Sequence, residues 1–348
     1  MALFSIDSMG IDLGASTTTI YLNNDRFAAL KEPSRVLVRA DNVQDILAVG
    51  QEAAAMTGKT GDSTAILYPV RHGSVADIDM AALMMVALAE KATGHKKPME
   101  KVTLVTSLAG SASRVDQAAL FAAMEATTAK RIAAVRAPIA AAMGASIDIG
   151  KPHAVLMLTI GGSITEVTVI SLYGIVAQRT LYLGGNDLDE AIVNYFIREK
   201  HLFISMRTAE QLKRDIGNVG TTDADEMPVV VKGRDVYTDQ PGQVQITGRD
   251  MRAALEYPVR QLIDSLRSAI LNIPPELSAD IRSGGIRLSG GGALLRGLDE
   301  RLRQETGLPV HISLNPLDDT ALGLSMAAGN EKLLSMLIRS GSAETSAV

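Results

Sequence analysis

Short apolar runs punctuated by glycines and Asn/Asp turns alternate along the chain with longer stretches whose apolar residues recur at helical spacing. The first runs predict strands over Met9–Leu13 and "TTTIYL" (Thr17–Leu22), with Gly14 between them, a turn at Asn23-Asn24-Asp25 and a third strand over Arg26–Leu30. After Pro33, the β-rich pieces "RVLVRA" and "ILAVG" lead to an alanine-rich helix from Gln51 and a helix over Asp79–Thr93. A buried strand, Lys101–Leu108, precedes a helix over Ser113–Thr128 whose Val115, Ala119, Ala122 and Met124 share a stripe. "RIAAVRAP" reads as a short strand and "IAAAMGASI" as a small-residue helix able to pack closely. From His153 the opening theme returns. A strand over Ala154–Ile160 enters Gly161-Gly162, leaves as Thr165–Ser171, turns at Tyr173-Gly174 and continues through "IVAQRTLYL" into a helix over Asp187–Glu199.

"MGIDLGASTTTIYLNNDRFAAL" and "VLMLTIGGSITEVTVISLYGIVAQ" are therefore two copies of one scheme, about 146 residues apart. Such hairpins wrap backbone amides around a phosphate, and two similar halves facing each other would set two of them across a cleft. The second half continues with a helix over Thr208–Ile216, strands at "PVVVKG" and "QVQIT", and a long amphipathic helix carrying Met251, Leu255, Val259, Leu262, Ile263, Leu266 and Ile270, stopped by Pro274-Pro275. In "GIRLSGGGALLRGLDERLRQETG" a strand then enters Gly290–Gly292 and opens a helix whose first amides are expected to face a nucleotide.

Composition narrows the classes. A chain of 348 residues with 47% hydrophobic residues can bury more than one core, which predicts about two domains. With 39 acidic against 34 basic residues and no basic, aromatic-interleaved stripe, nucleic acid is excluded as an expected partner. The absence of cysteine removes disulfides, thiolate catalysis and Cys-type zinc sites, and five scattered histidines remain. "MALFSIDSMG" lacks a basic leader region and meets Asp7 early, so a cytoplasmic protein is expected; Leu3 and Phe4 are too few for an interfacial helix. The longest apolar run, Met80–Ala89, is about half of a membrane-spanning helix and reads as a core helix.

The two glycine turns, "LGGNDLDEAI", "EQLKRDIG" and "LSGGGALLRGL", in that order, resemble the actin-like ATPase superfamily, most closely the MreB family of bacterial actin homologues, over about Met9–Leu333. The resemblance implies an α/β, actin-like fold: two related domains, each a mixed five-stranded sheet with flanking helices, around a central nucleotide cleft. Domain I would be 1–140, with a small insert at about 31–67 and a C-terminal segment, 318–348, packing back onto it. Domain II would be 141–317, with an insert at about 181–250. The implied ligand is ATP or ADP with Mg²⁺. Its first phosphate loop would be Asp12, Gly14, Ala15, Ser16 and Thr17, with Asp12 on the metal side, and its second Gly161, Gly162, Ser163 and Ile164. Glu210, Gln211, Leu212 and Lys213 would lie beside the nucleoside, with Glu210 and Lys213 one helical turn apart. Gly290, Gly291, Gly292, Ala293 and Leu294 would pack on the adenine and ribose.

The departures bear on chemistry. MreB-like chains typically read "VDIGGGTTEV" where this one reads "LTIGGSITEV", so Thr159 replaces the metal-side carboxylate and Ile164 a hydroxyl that positions water. They read "EEPMAAAIGA" where this one reads "RAPIAAAMGA", so Ala137 replaces the glutamate that orients the attacking water; Ala15 also stands where a threonine is usual. The expectation is a nucleotide-binding, filament-forming cytoskeletal protein of cell shape or intracellular positioning, with itself as partner, a weakened Mg²⁺ site and weak or lost hydrolysis. The alternative, a conventional ATP-hydrolysing member controlling rod shape and cell-wall synthesis, requires Glu166, Asp187, Asp189 or Thr165 to take over. A membrane surface and cell-shape membrane proteins are further expected partners, although the candidate loop "GHKKPMEK" is basic, with Met99 its one apolar residue.

Overall fold

The structure, a computed structural model, describes residues 6–23, 25–220 and 227–345. Leu3, Phe4, Asn24 of the first predicted turn and the last three residues of the C-terminal segment lie outside the described residues. The chain forms two compact units: Met1–Ala154 with Thr168–Gln178 and Leu317–Val348, and Val155–Val167 with Arg179–Pro316.

The internal repeat is built as two sheets of matching order. In the first, strand Ser8–Leu13 pairs antiparallel with Thr17–Leu22, which pairs antiparallel with Leu30–Pro33; on its other side it pairs in parallel with Thr103–Leu108, and that with Arg131–Arg136. In the second the order is Gly174–Leu181, Thr165–Ser171, Val155–Ile160, Ile286–Ser289, Val310–Ile312, the last two joined in parallel. Each sheet thus has a meander of three strands on one side and two parallel strands on the other. The first has a sixth strand, Ala343–Thr345, added antiparallel to the edge strand Arg131–Arg136, so five strands per sheet holds only for the second. The third strand lies at Leu30–Pro33 rather than Arg26–Leu30, because the ladder pairs Ile20 with Leu30 and Thr17 with Pro33. Proline sits there at an edge, where its missing N–H breaks no ladder bond.

Packing follows the composition. Helix Ile78–Thr93 begins where the Asp77 carboxylate accepts the Met80 N–H (3.0 Å) and ends at Gly94 in the left-handed region. It buries Met80, Met84, Met85 and Leu88 in one cluster with Met9, Ile11, Ile20 and Leu104. With aromatic residues at 3%, pliable methionines fill this core. The small-residue helix Ala137–Gly144 lies backbone to backbone against helix Asp319–Ala328: a Cβ on Gly144 would meet the Asp319 carbonyl at 1.8 Å, and one on Gly323 the Ala140 carbonyl at 1.9 Å. That packing lies within the first unit, whose opening segment runs to Ala154. Three-stranded sheets complete each unit, from strands 36–39, 46–49 and 64–67 in the first and 202–203, 229–235 and 241–246 in the second. No helix among the described residues is long and apolar enough to cross a membrane.

Candidate functional site

The two glycine turns share one internal geometry. Gly14 donates its N–H to the carbonyl of Thr17 (3.2 Å), and Gly161 donates its own to the carbonyl of Ile164 (2.8 Å). A Cβ would meet those carbonyls at 2.7 Å on Gly14, where the closure itself calls for glycine, and at 3.2 Å on Gly161, a tight contact. The braces differ. In the first unit, buried Ser34 holds the turn: its N–H reaches the Ser16 carbonyl (3.0 Å), and its hydroxyl reaches the Gly14 carbonyl (2.5 Å) and Thr18 Oγ1 (2.8 Å). In the second, the N-terminus of helix Gly185–Glu199 does so, with Gly185 N–H on the Gly161 carbonyl (2.9 Å) and Asn186 N–H on the Gly162 carbonyl (2.7 Å). None of these bonds uses the amides of Ala15, Gly162 or Ser163, the groups a phosphate would take.

Asp12 is half-buried at the end of the first strand and accepts the Ser107 hydroxyl at 2.7 Å. Desolvation raises its carboxyl above the ordinary range, against the opposing effects of the Ser107 bond and nearby Lys31, which itself pairs with Asp318. In the second unit Thr159, paired in register with Ser289, is buried, and its hydroxyl finds no hydrogen-bond partner among the described protein atoms. Ala137 is the first residue of its helix, next to Arg136, whose guanidinium turns to the carbonyls of Ala109 (3.3 Å) and Gly110 (3.0 Å) and to Glu344 (2.9 Å).

Comparison with known proteins decides the family. The MreB/Mbl protein family model matches residues 6–336. The chain is 32% identical to the cell shape-determining protein MreB of Escherichia coli K12 over 324 residues, 92% of each chain, and 32% identical to the cell shape-determining protein Mbl of Bacillus subtilis over 322 residues, 92% of this chain and 96% of that one. This chain belongs to the MreB/Mbl family. Its fold is actin-like: the crystal structure of MreB 5 of Spiroplasma citri bound to AMPPNP superposes with a TM-score of 0.88 at 26% identity, covering 96% of this chain and 98% of that one. The MamK double helical filament, at 22% identity, shares the fold with a TM-score of 0.75, covering 92% and 98%.

Within this MreB/Mbl chain, the structure sorts the predicted residues. Helix Met206–Ile216 carries Glu210 to Lys213 around its circumference: Leu212 is buried in the core, Gln211 bonds Asp215 (2.9 Å), and Glu210 pairs with Arg214 (2.5 Å). Lys213 turns inward to Asp189 (2.8 Å) and the Gly185 carbonyl (2.6 Å). After Ser289 the glycine triplet opens a single 3-10 turn, Gly291–Leu294, and the α-helix begins only at Leu298. Gly290 and Gly292 are required by the close approach of Ile160, whose carbonyl and Cγ2 would lie 2.3 and 2.2 Å from their added Cβ atoms. Ala293 is buried, which leaves Gly291 and Leu294 as the exposed surface of that turn.

The groups that would replace the missing carboxylates are otherwise employed. Asp187 caps its helix by accepting the Gly184 N–H (2.7 Å), Thr165 donates to the Leu183 carbonyl (2.7 Å), Asp189 holds Lys213, and Glu166 is buried in its strand and already engaged. Among the described residues no group of three or more His, Asp or Glu side chains is assembled to hold a metal ion. Were Mg²⁺ bound beside Asp12, that lone carboxylate would suit an ion held mainly by phosphates and water. Sequence reasoning missed Ser34, whose only signal is a small hydroxyl directly after the edge proline.

Proposed function

We propose that this MreB/Mbl-family protein binds an adenine nucleotide with Mg²⁺ through its glycine turns, polymerises with copies of itself in the cytoplasm, and turns ATP over weakly or not at all. The observation that carries this reading is the contrast between two intact, equally closed turns, Gly14–Thr17 and Gly161–Ile164, and neutral side chains at Ala137, Thr159 and Ile164. Asp12 would face the metal side. Bound Mg²⁺ would neutralise phosphate charge. The chain's own backbone amides would hold the phosphates, while neither the Thr159 hydroxyl nor the Ile164 alkyl group can take a proton from water. Losing a positioned general base costs about 10²–10⁴ in rate. Nucleotide binding is supported by the MreB 5 structures with AMPPNP and with ADP, and self-assembly by the MamK filament.

The membrane part of the proposal is narrower than the sequence implied. Met99 is buried in the methionine core, so the loop 94–101 presents His95, Lys96, Lys97 and Lys101 and no apolar anchor. Its contact with an anionic membrane surface would be electrostatic and salt-sensitive. Calorimetry with ATP and ADP, phosphate release with MgATP and pelleting at tens of micromolar protein test the three parts separately. Expected are binding, slow release and pelleted polymer; no binding at millimolar ATP, or a monomer under all conditions, refutes the corresponding part.

A further inference from the structure

One end of the first sheet lies away from the glycine turn. Strand Ser8–Leu13 starts there and meets Gly14 only at its other end. The register sets three connections side by side at the starting end. Asn23 donates its N–H to the Ser8 carbonyl (3.0 Å), Thr103 donates its own to the Asp7 carbonyl (2.9 Å), and Thr103 pairs in turn with Arg131. The turn 23–29, the loop 94–101 and the start of strand Arg131–Arg136 therefore share one border, roughly 15 Å long from the strand spacing. Arg26, Lys96, Lys97, Lys101 and Lys130 are exposed on these connections, against the acids Asp7, Asp25 and Glu100, of which Glu100 pairs with Lys97 (3.0 Å). In a chain with a formal net charge of -5, this border reverses the sign.

Phe27 stands on the same border. It is 82% exposed, the most exposed phenylalanine among the described residues. Asp25 closes its N–H on the Leu22 carbonyl (2.8 Å) and Ala29 its own on the Ile20 carbonyl (2.8 Å), which leaves Arg26, Phe27 and Ala28 to span the gap in a connection too short to bury a ring. A basic patch alone binds an anionic bilayer weakly and reversibly, and an apolar side chain beside it supplies the second signal that firmer attachment takes. Across a two-fold axis a second copy would bring the same cations to the same place, whereas anionic headgroups complement them. Resting on the membrane contact proposed above for loop 94–101, we propose that Phe27 is the apolar half of that contact, its ring entering the headgroup layer while the basic border lies on the anionic surface.

The chain contains no tryptophan, so Phe27→Trp in the full chain supplies a single fluorophore. Mixed at low salt with vesicles of phosphatidylglycerol and phosphatidylcholine, its emission should shift to the blue and be quenched when the acyl chains are brominated, with neither effect on pure phosphatidylcholine. In cosedimentation with the same anionic vesicles, Phe27→Ser should lower the partition coefficient about tenfold, part of what full burial of the ring would give. Lys96→Gln and Lys97→Gln should each lower it about fivefold at low salt. The lysine effects should shrink as salt is raised, while the ratio between wild type and Phe27→Ser holds. Unfolding midpoint and ATP binding should match the wild type in all these variants. Equal vesicle binding by wild type and Phe27→Ser, or an indole that stays in water on bound protein, overturns the inference and leaves the electrostatic contact standing. A blue shift that grows with protein concentration without vesicles makes the ring a contact between copies and also overturns it. A wild type that stays off anionic vesicles at low salt overturns the membrane reading itself, and this inference with it.

Discussion

Replacing Thr159 by valine removes a hydroxyl while keeping the shape of the side chain. Thr159 is 9% exposed, its Oγ1 has no protein partner, and its strand is held between two neighbours in the second sheet. A buried hydroxyl without a partner costs about 1–3 kcal/mol, and exchanging it for a methyl group adds apolar burial of order 0.8 kcal/mol. Valine also suits a strand as well as threonine does. Thr159→Val is therefore expected to stabilise the nucleotide-free protein by about 2 kcal/mol, the lower end of that sum being taken because the surroundings relax. Urea unfolding followed by circular dichroism reads this as a higher midpoint at unchanged slope. ATP affinity should stay within about twofold, since a neutral hydroxyl adds little to phosphates held by amides. Destabilisation by Thr159→Val would refute the reasoning, because it would mean that the hydroxyl is satisfied in the folded protein. Strongly weakened ATP binding would assign it to the ligand.

Gly184→Ala should displace the second turn, since its Cβ would lie 2.6 Å from the Gly161 carbonyl oxygen, costing about 1–3 kcal/mol in unfolding experiments and most of the ATP affinity. Gly291→Asp, on the exposed surface of the 3-10 turn, should leave the unfolding midpoint unchanged and abolish adenine nucleotide binding in calorimetry. The Asp189 carboxyl is raised from 3.8 to about 6, so between those values the folded chain holds a proton that the unfolded chain releases. Its contribution to stability should therefore fall as pH rises from about 4 to about 6, by at most about 3 kcal/mol, and be flat above; Asp189→Asn should remove that slope from a pH series of urea titrations.

The doubled strand–turn–strand scheme is legible in the sequence because both copies spend glycine at the same point, where a carbonyl closes over the turn. Strand periodicity fixes Thr17–Leu22 and glycine with Pro274-Pro275 bounds the later elements, since these signals are local. What braces the turns is not local. Ser34 and the Gly185–Asn186 amides act from elsewhere in the chain, and a small hydroxyl after a proline or two amides at a helix start do not reveal which turn they brace. The same holds for Ala343–Thr345, a three-residue strand given its place by the exposed edge of Arg131–Arg136. Asp187 and Asp189 look alike in "NDLDEAI", yet one faces the helix start and caps it while the other faces Lys213. Leu212 and Ala293 are buried, which a motif read as a block does not foresee, because successive residues of a helical turn point in different directions.

Phosphate release from MgATP, compared between the wild type and the triple variant Ala137→Glu, Thr159→Asp, Ile164→Thr, tests the central proposal most directly. The turns already hold their closed shape, so the variant restores only the groups that order metal and attacking water, and each such group is worth about 10²–10⁴ in rate. At matched ATP occupancy the wild type should release phosphate slowly or not measurably, the triple variant at least about a hundredfold faster, and the single changes less than the triple. A wild type that already hydrolyses ATP as fast as the triple variant would contradict the proposal, since another group would then be supplying the chemistry that Thr159, Ile164 and Ala137 lack.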